Sequence, residues 1–103
     1  MRTFYLTTAL LVFLASPALA EPNCVTVGGY PFAITEELLD QAVHYAAQKD
    51  YEALQQLVDR GQAGILKDGL PVYREGGGWT VTKIRLPGKT FTVWTVIEGV
   101  KCK

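Results

Sequence analysis

The stretch LPVYREGGGWTVTKIRLPGKTFTVWTVI, residues 70–97, decides the fold. β-Branched and aromatic residues alternate with polar ones in short runs, and glycines and prolines interrupt these runs every few residues. This pattern is typical of short antiparallel strands joined by tight turns. Together with Ile65 and Leu66, the stretch predicts four or five strands. A sheet of this size must curl to bury one face, so we expect a small β-barrel over about residues 63–100.

Alternation along these strands separates the two faces of the predicted sheet. On one face we expect a set of apolar core residues, and on the other the exposed cations Lys83 and Arg85. The expected core residues are Ile84, Leu86 and Phe91, with Val93 beside them.

Ahead of the strands, residues 35–61 carry the apolar spacing of two short helices. Thr35 is suited to cap the first helix, and Asp50 is suited to cap the second. Gly61 can adopt the left-handed conformation that ends a helix. The sequence therefore predicts an α+β domain, in which an N-terminal helical hairpin over about residues 35–61 packs on the barrel.

The first 20 residues have the pattern of a signal peptide. Arg2 supplies a positive charge, residues 4–15 are apolar, and small residues precede a cleavage site after Ala20. The apolar run is shorter than the roughly 20 residues of a membrane span, although an uncleaved anchor helix stays open as the alternative. We therefore expect a single mature domain over residues 21–103, periplasmic or secreted, with no stable membrane anchor.

Two cysteines follow the leader, Cys24 and Cys102. In an oxidising compartment we expect them to form one intramolecular disulfide that closes nearly the whole mature chain. Two free thiols or an intermolecular bridge are the alternatives.

Several aromatic and glycine positions between Gly69 and Thr95 resemble those of bacterial Src-homology-3-like domains, which are five-stranded barrels common in exported proteins. The resemblance rests on Gly69 to Tyr73, Gly78-Trp79, Lys83 to Arg85, Gly88, and Val93 to Thr95. It implies a domain that binds cell-wall peptides or proteins through a groove of aromatic residues. The groove residues that the resemblance implies are Tyr73, Trp79 and Trp94. A helical hairpin ahead of the barrel departs from the family pattern and could cover that groove.

The residues available for catalysis are few. The only serine, Ser16, lies in the leader, and both cysteines are expected to be paired. Glu36, Asp40 and His44 share a helix face at four-residue spacing, which we interpret as a solvated face, with a metal site as the alternative. We therefore expect neither an enzyme nor a metal or other cofactor.

Carboxylates also lie beside glycines in the predicted turns of the barrel, at Asp68, Glu75 and Glu98. Turn chemistry explains these residues without a catalytic role.

Charge divides the mature chain in two. Residues 21–63 carry seven carboxylates against two cations, whereas residues 64–103 carry seven cations against three carboxylates. The charges of the acidic helices and the basic barrel either neutralise each other or attract a partner. The near-neutral total of the whole chain and the export signal argue against nucleic acid.

The candidate partner site is a basic and aromatic face of the barrel. Trp79, Lys83 and Arg85 fall on one strand face by alternation, and exposed aromatics beside arginine are typical of interface hot spots. With Tyr73 and Trp94 they predict a surface for a protein, a peptide or a peptidoglycan-type envelope component. The alternative is an inhibitor or immunity-type protein that presents the loop of residues 75–78 to a hydrolase or toxin.

Overall fold

The computed structural model describes residues 21–103, so the predicted signal peptide lies outside the described residues. Within them the chain forms two helices and a seven-stranded antiparallel sheet, which confirms the α+β class. None of the described helices has the length and apolarity needed to cross a membrane. The elements are β1 Cys24–Thr26, β2 Pro31–Ala33, α1 Glu36–Ala47, α2 Tyr51–Asp59, β3 Ala63–Ile65, β4 Pro71–Gly77, β5 Val81–Arg85, β6 Val93–Val96, a 3-10 turn Ile97–Gly99, and β7 Val100–Cys102.

Both helices begin where the sequence predicts. The Thr35 hydroxyl accepts the Leu38 N–H at 3.1 Å, and the Asp50 carboxylate accepts the Ala53 N–H at 3.2 Å. These side chains occupy donors that the first helical turn leaves unpaired.

Both helices end in a Schellman motif, in which one residue takes a left-handed conformation. That residue is Gly61 in α2, with φ of 72°, and Lys49 in α1, with φ of 59°. In α1 the N–H of Asp50 reaches the carbonyl of Tyr45 at 2.9 Å, which is the long hydrogen bond of the motif. The predicted glycine end of α2 is therefore confirmed, whereas Lys49 has the same backbone conformation at a steric cost.

Replacing Lys49 by glycine is expected to raise the free energy of unfolding by about 1 kcal/mol, because glycine has no Cβ to oppose the left-handed conformation. Urea unfolding of Lys49→Gly measures this change. Gly61→Ala is the matched control and is expected to lower stability by a similar amount. An unchanged midpoint in both variants would contradict this account of the helix ends.

The sheet is larger and more open than predicted. Its strand order is β3-β2-β6-β5-β4-β1-β7, and the expected barrel is not closed. Residue spacing does not predict β1, β2 and β7, because three residues are too few to show alternation. These strands form through pairing with distant partners.

The segments 24–33 and 63–72 run beside each other, which curls the sheet. Cys24 pairs with Val72 at one end, and Ala33 pairs with Ala63 at the other. Between these ends, backbone hydrogen bonds join Thr26 to Leu70 and Tyr30 to Leu66 without a continuous ladder. As a result, residues of β2 and β1, which are second and sixth in the strand order, lie in one apolar cluster, which we call the inner cluster. Its buried members are Cys24, Leu66, Val72 and Ile84, with Phe32, Leu86, Val93 and Val100 packed against them.

A second cluster joins the helices to the opposite, outer face of the sheet. There α1 packs on β2, β3 and β6, while α2 packs on α1 and β3. The buried members of this cluster are Ala33, Leu39, Ala42, Leu54, Leu57 and Ala63.

The predicted disulfide is present in the structure. Cys24 and Cys102 are directly opposed in the pairing of β1 with β7, with their Cα atoms 4.0 Å apart. The two ends of the domain therefore lie side by side, as the sequence predicts.

Two expectations about burial were wrong. Phe91 is 58% exposed rather than buried, because β6 begins only at Val93 and leaves Phe91 in the preceding loop. Lys83 and Arg85 are half-buried rather than exposed, because aromatic rings cover part of their side chains. Ile84 is buried at 3% exposure, as expected.

Candidate binding face on the outer side of the sheet

Four of the five predicted site residues lie together on the outer face of β4, β5 and β6. The strand register opposes Tyr73 to Arg85 and Lys83 to Trp94. Opposed residues in neighbouring strands have side chains on the same face, within contact distance. The structure therefore brings Tyr73, Lys83, Arg85 and Trp94 into one patch, which we call the cation–aromatic patch.

Each cation in the patch lies over an aromatic ring. The Arg85 guanidinium carbon is 4.7 Å from the centre of the Tyr73 ring, and the Lys83 ammonium is 5.7 Å from the centre of the Trp94 ring. Both distances are within the range of cation–π attraction. The stacking keeps both charges on the outer face.

Arg85 is held by other groups as well. Its Nε lies 3.1 Å from a carboxylate oxygen of Glu75, and its Nη1 donates to the Lys89 carbonyl at 3.1 Å. With its guanidinium over Tyr73, Arg85 has three kinds of partner inside the domain. These contacts hold the Arg85 side chain in place within the patch. Lys83, in contrast, makes no ion pair with any residue between 21 and 103.

The strand register does not place Trp79 in the cation–aromatic patch. The predicted alternation puts Trp79 in the same strand as Lys83 and Arg85, but β5 begins at Val81, and β4 extends to Gly77. Trp79 therefore lies at the tip of the β4–β5 hairpin, where it is 95% exposed. The alternation that placed it beside Lys83 and Arg85 does not apply in a turn.

The predicted protruding loop of residues 75–78 is mostly strand. Gly76 and Gly77 pair with Lys83 and Thr82, across a shift in register between Arg74 and Gly76. The true tip consists of residues 78–80.

The helices cover only one end of the outer face. Trp94 packs against the cluster under α1 and α2 on one side and contacts Lys83 on the other. Tyr73 lies on β4, and Arg85 lies at the opposite end of β5 from Val81, which packs against the helical cluster. The helical hairpin therefore leaves most of the cation–aromatic patch accessible.

An acidic groove of about 640 Å³ borders the helices on this side of the molecule. Its lining includes Val81 and Val96 of the sheet, and its carboxylates come from the start of α1 and from the 3-10 turn. The carboxylate residues are Glu36, Glu37, Asp40 and Glu98.

Opposite charges on the two layers do not neutralise each other directly. Over residues 21–103 the one ion pair joins Arg85 to Glu75, both in the sheet. The acidic helices and the basic sheet therefore present their charges separately to solvent.

The carboxylates considered for catalysis lie apart. Asp68 accepts the Gly28 N–H at 3.0 Å in the loop after β3, and Glu75 pairs with Arg85 on β4. Glu98 lies in the acidic groove, and His44 is exposed on α1. Between residues 21 and 103, no group of three or more potential ligands is arranged to hold a metal ion.

Comparison of the chain with protein-family models, curated proteins and solved structures gave no match. The resemblance to Src-homology-3-like domains therefore stays a prediction.

Proposed function

We propose that this chain is a small exported, non-enzymatic binding domain of the bacterial envelope, Src-homology-3-like in its sheet. In this proposal it engages a protein, a peptide or a peptidoglycan-type wall component through the cation–aromatic patch and Trp79. The observation that carries the proposal is the indole of Trp79, which is 95% exposed at a hairpin tip next to a basic strand. Large exposed aromatics beside cations are the residues on which interface energy concentrates.

The residues of the site have different roles in this proposal. Trp79 and Lys83 contact the partner, because one is exposed and the other carries a charge that no described carboxylate neutralises. Arg85 and Tyr73 keep the strand face in place through their mutual stacking. Trp94 anchors Lys83 at the edge of the helical layer.

Export is supported by the disulfide as well as by the leader pattern. A disulfide between the two ends of a small domain persists in an oxidising compartment and is rare in the cytosol. We therefore propose a periplasmic or secreted location.

An inhibitor or immunity-type protein is the second candidate, favoured by the shape of the same hairpin. Its tip, Gly78-Trp79-Thr80, projects beyond the paired strands and carries the most exposed large hydrophobic side chain between residues 21 and 103. Such a tip fits the cleft of a hydrolase. Inhibition of an envelope hydrolase by the oxidised domain, lost in Trp79→Ala, would favour this candidate over a wall-binding module.

Replacing Trp79 by alanine is expected to weaken capture of the partner from an envelope extract while leaving stability unchanged, since the side chain is almost fully solvated. The loss expected for a central aromatic anchor is about 2 kcal/mol, or about thirtyfold in affinity. A pull-down with oxidised residues 21–103 measures it.

Tyr51→Ala is the matched control, because Tyr51 is an aromatic residue on α2 that is 61% exposed. It is expected to capture the partner as well as the parent does. Equal capture by the parent and Trp79→Ala, with loss in Tyr51→Ala, would move the site to the helices and contradict the proposal.

A further inference from the structure

The inner face of the sheet carries an apolar pocket that the proposed function does not use. Its volume is about 400 Å³, and each of the strands β1 to β6 contributes a residue to its lining. Pockets of this size accommodate small ligands. The lining residues are Thr26, Phe32, Ile65, Leu66, Lys67, Leu70, Val72, Ile84, Leu86, Phe91 and Val93.

The interior of the pocket offers no free hydrogen-bonding side chain. Thr26 is the only uncharged polar residue in the lining, and its hydroxyl is already engaged. It donates to the Lys67 carbonyl and accepts the Leu70 N–H at 2.9 Å. A polar group inserted here would lose its hydration without compensation, so the inserted part of a ligand must be apolar.

The rim of the pocket carries a single charge. Lys67 is the only ionisable residue in the lining, it is exposed, and it makes no ion pair within residues 21–103. An ammonium at the edge of an apolar pocket favours a ligand with an anionic head.

The apolar surface at the mouth is exposed. Ile65 is 48% and Phe91 is 58% exposed, and a ligand that covers them removes apolar area from water. Further inside, Phe32 lies against Gly64, where a Cβ would come within 2.5 Å of the ring. Glycine at this position therefore lets the Phe32 ring lie close to β3.

We propose that this pocket binds the alkyl chain of an amphiphile whose anionic head contacts Lys67, as in a fatty acid or the acyl chain of an anionic lipid. An alkyl chain is favoured over an aromatic group because branched aliphatic side chains dominate the lining, with only two phenylalanines. The site lies on the inner face and is independent of the cation–aromatic patch.

Decanoate, below its critical micelle concentration, is the first probe. Methyl NMR of the oxidised domain is expected to show shifts confined to the leucine, isoleucine and valine methyl groups of the pocket. Lys67→Glu is expected to weaken decanoate about fivefold and to leave uncharged decanol within about twofold, because only the head contact changes. Lys89→Glu is the control, since Lys89 is an exposed lysine outside the lining.

A second variant tests the mouth of the pocket. Ile65→Glu is expected to weaken both decanoate and decanol at least about tenfold, because it introduces a charge beside the alkyl chain. Ile34→Glu is the matched control, since Ile34 is 50% exposed and lies outside the lining. Cooperative urea unfolding of each variant confirms that it is folded.

Each outcome of these experiments either supports or overturns the proposed alkyl site. Decanoate shifts with the expected pattern of variants support the site, and sedimentation with phosphatidylglycerol vesicles then distinguishes a membrane lipid from a free fatty acid as the source. No shift with decanoate or decanol, or equal loss in Ile34→Glu and Ile65→Glu, overturns the proposal. Shifts produced only by an aromatic peptide would overturn it in favour of a protein partner.

Discussion

Removing the Cys24–Cys102 disulfide is expected to lower the free energy of unfolding by about 4 kcal/mol. The bond joins residues 78 positions apart, so it restricts almost the whole domain in the unfolded state. It also holds β7, an edge strand of three residues, against β1. In a domain of this size the loss is a large part of the total stability.

Urea unfolding of the oxidised and the reduced parent measures this difference without changing a side chain. The double variant Cys24→Ala, Cys102→Ala is expected to resemble the reduced protein, with a small further loss because Cys24 is only 2% exposed in the inner cluster. The urea midpoint of the double variant should not respond to reductant. An unchanged midpoint on reduction of the parent would show that the packed sheet holds the termini without the bond.

Replacing Thr26 by valine is expected to lower the free energy of unfolding by about 3 kcal/mol, although valine nearly matches its shape. The hydroxyl serves two backbone groups of the loop between β3 and β4, the Lys67 carbonyl and the Leu70 N–H. Thr26 is 2% exposed, so water cannot easily replace it. Each buried group left without a partner costs about 1–3 kcal/mol.

Two further threonine-to-valine variants calibrate this loss. Thr95 is fully buried and makes one side-chain hydrogen bond, to the Pro31 carbonyl at 2.8 Å, so Thr95→Val is expected to cost about half as much. Thr90 is exposed, and Thr90→Val is expected to be nearly neutral. If all three variants had equal urea midpoints, the hydroxyl of Thr26 would not hold the loop.

Thr26 also links stability to the proposed alkyl site, because Thr26, Lys67 and Leu70 all line the pocket. The two binding proposals nevertheless fail independently. Trp79→Ala tests the outer face and leaves the pocket intact, whereas Ile65→Glu tests the pocket and leaves the hairpin tip intact.

Charge separation bears on the kind of partner expected for the outer face. The acidic groove and the cation–aromatic patch border each other across Val81 and Lys83. A partner that contacts both must carry both signs of charge, which a protein or a muropeptide does. High salt is therefore expected to weaken capture of such a partner.

Local features of this chain were predictable from its sequence. Thr35, Asp50 and Gly61 act within one helical turn, so residue type alone indicates where the helices begin and end. The disulfide was predictable because residues 21–103, the predicted mature domain, contain only two cysteines. Strand alternation identified Ile84 as buried and placed Lys83 and Arg85 together on one face, because that periodicity is a property of the strand itself.

The rest depended on contacts between residues far apart in the chain. β1, β2 and β7 are too short to be recognised alone, and pairing with distant segments creates them. Where β5 and β6 begin depends on the register between strands, and this register puts Trp79 in a turn and Phe91 at the mouth of a pocket. The sequence by itself thus determined the helices, the disulfide and the sidedness of the strands, since these follow from local backbone preference and composition. Only the tertiary structure decided that the sheet stays open and that its inner face holds an apolar pocket, because closure and cavities arise from the packing of segments that no local pattern connects.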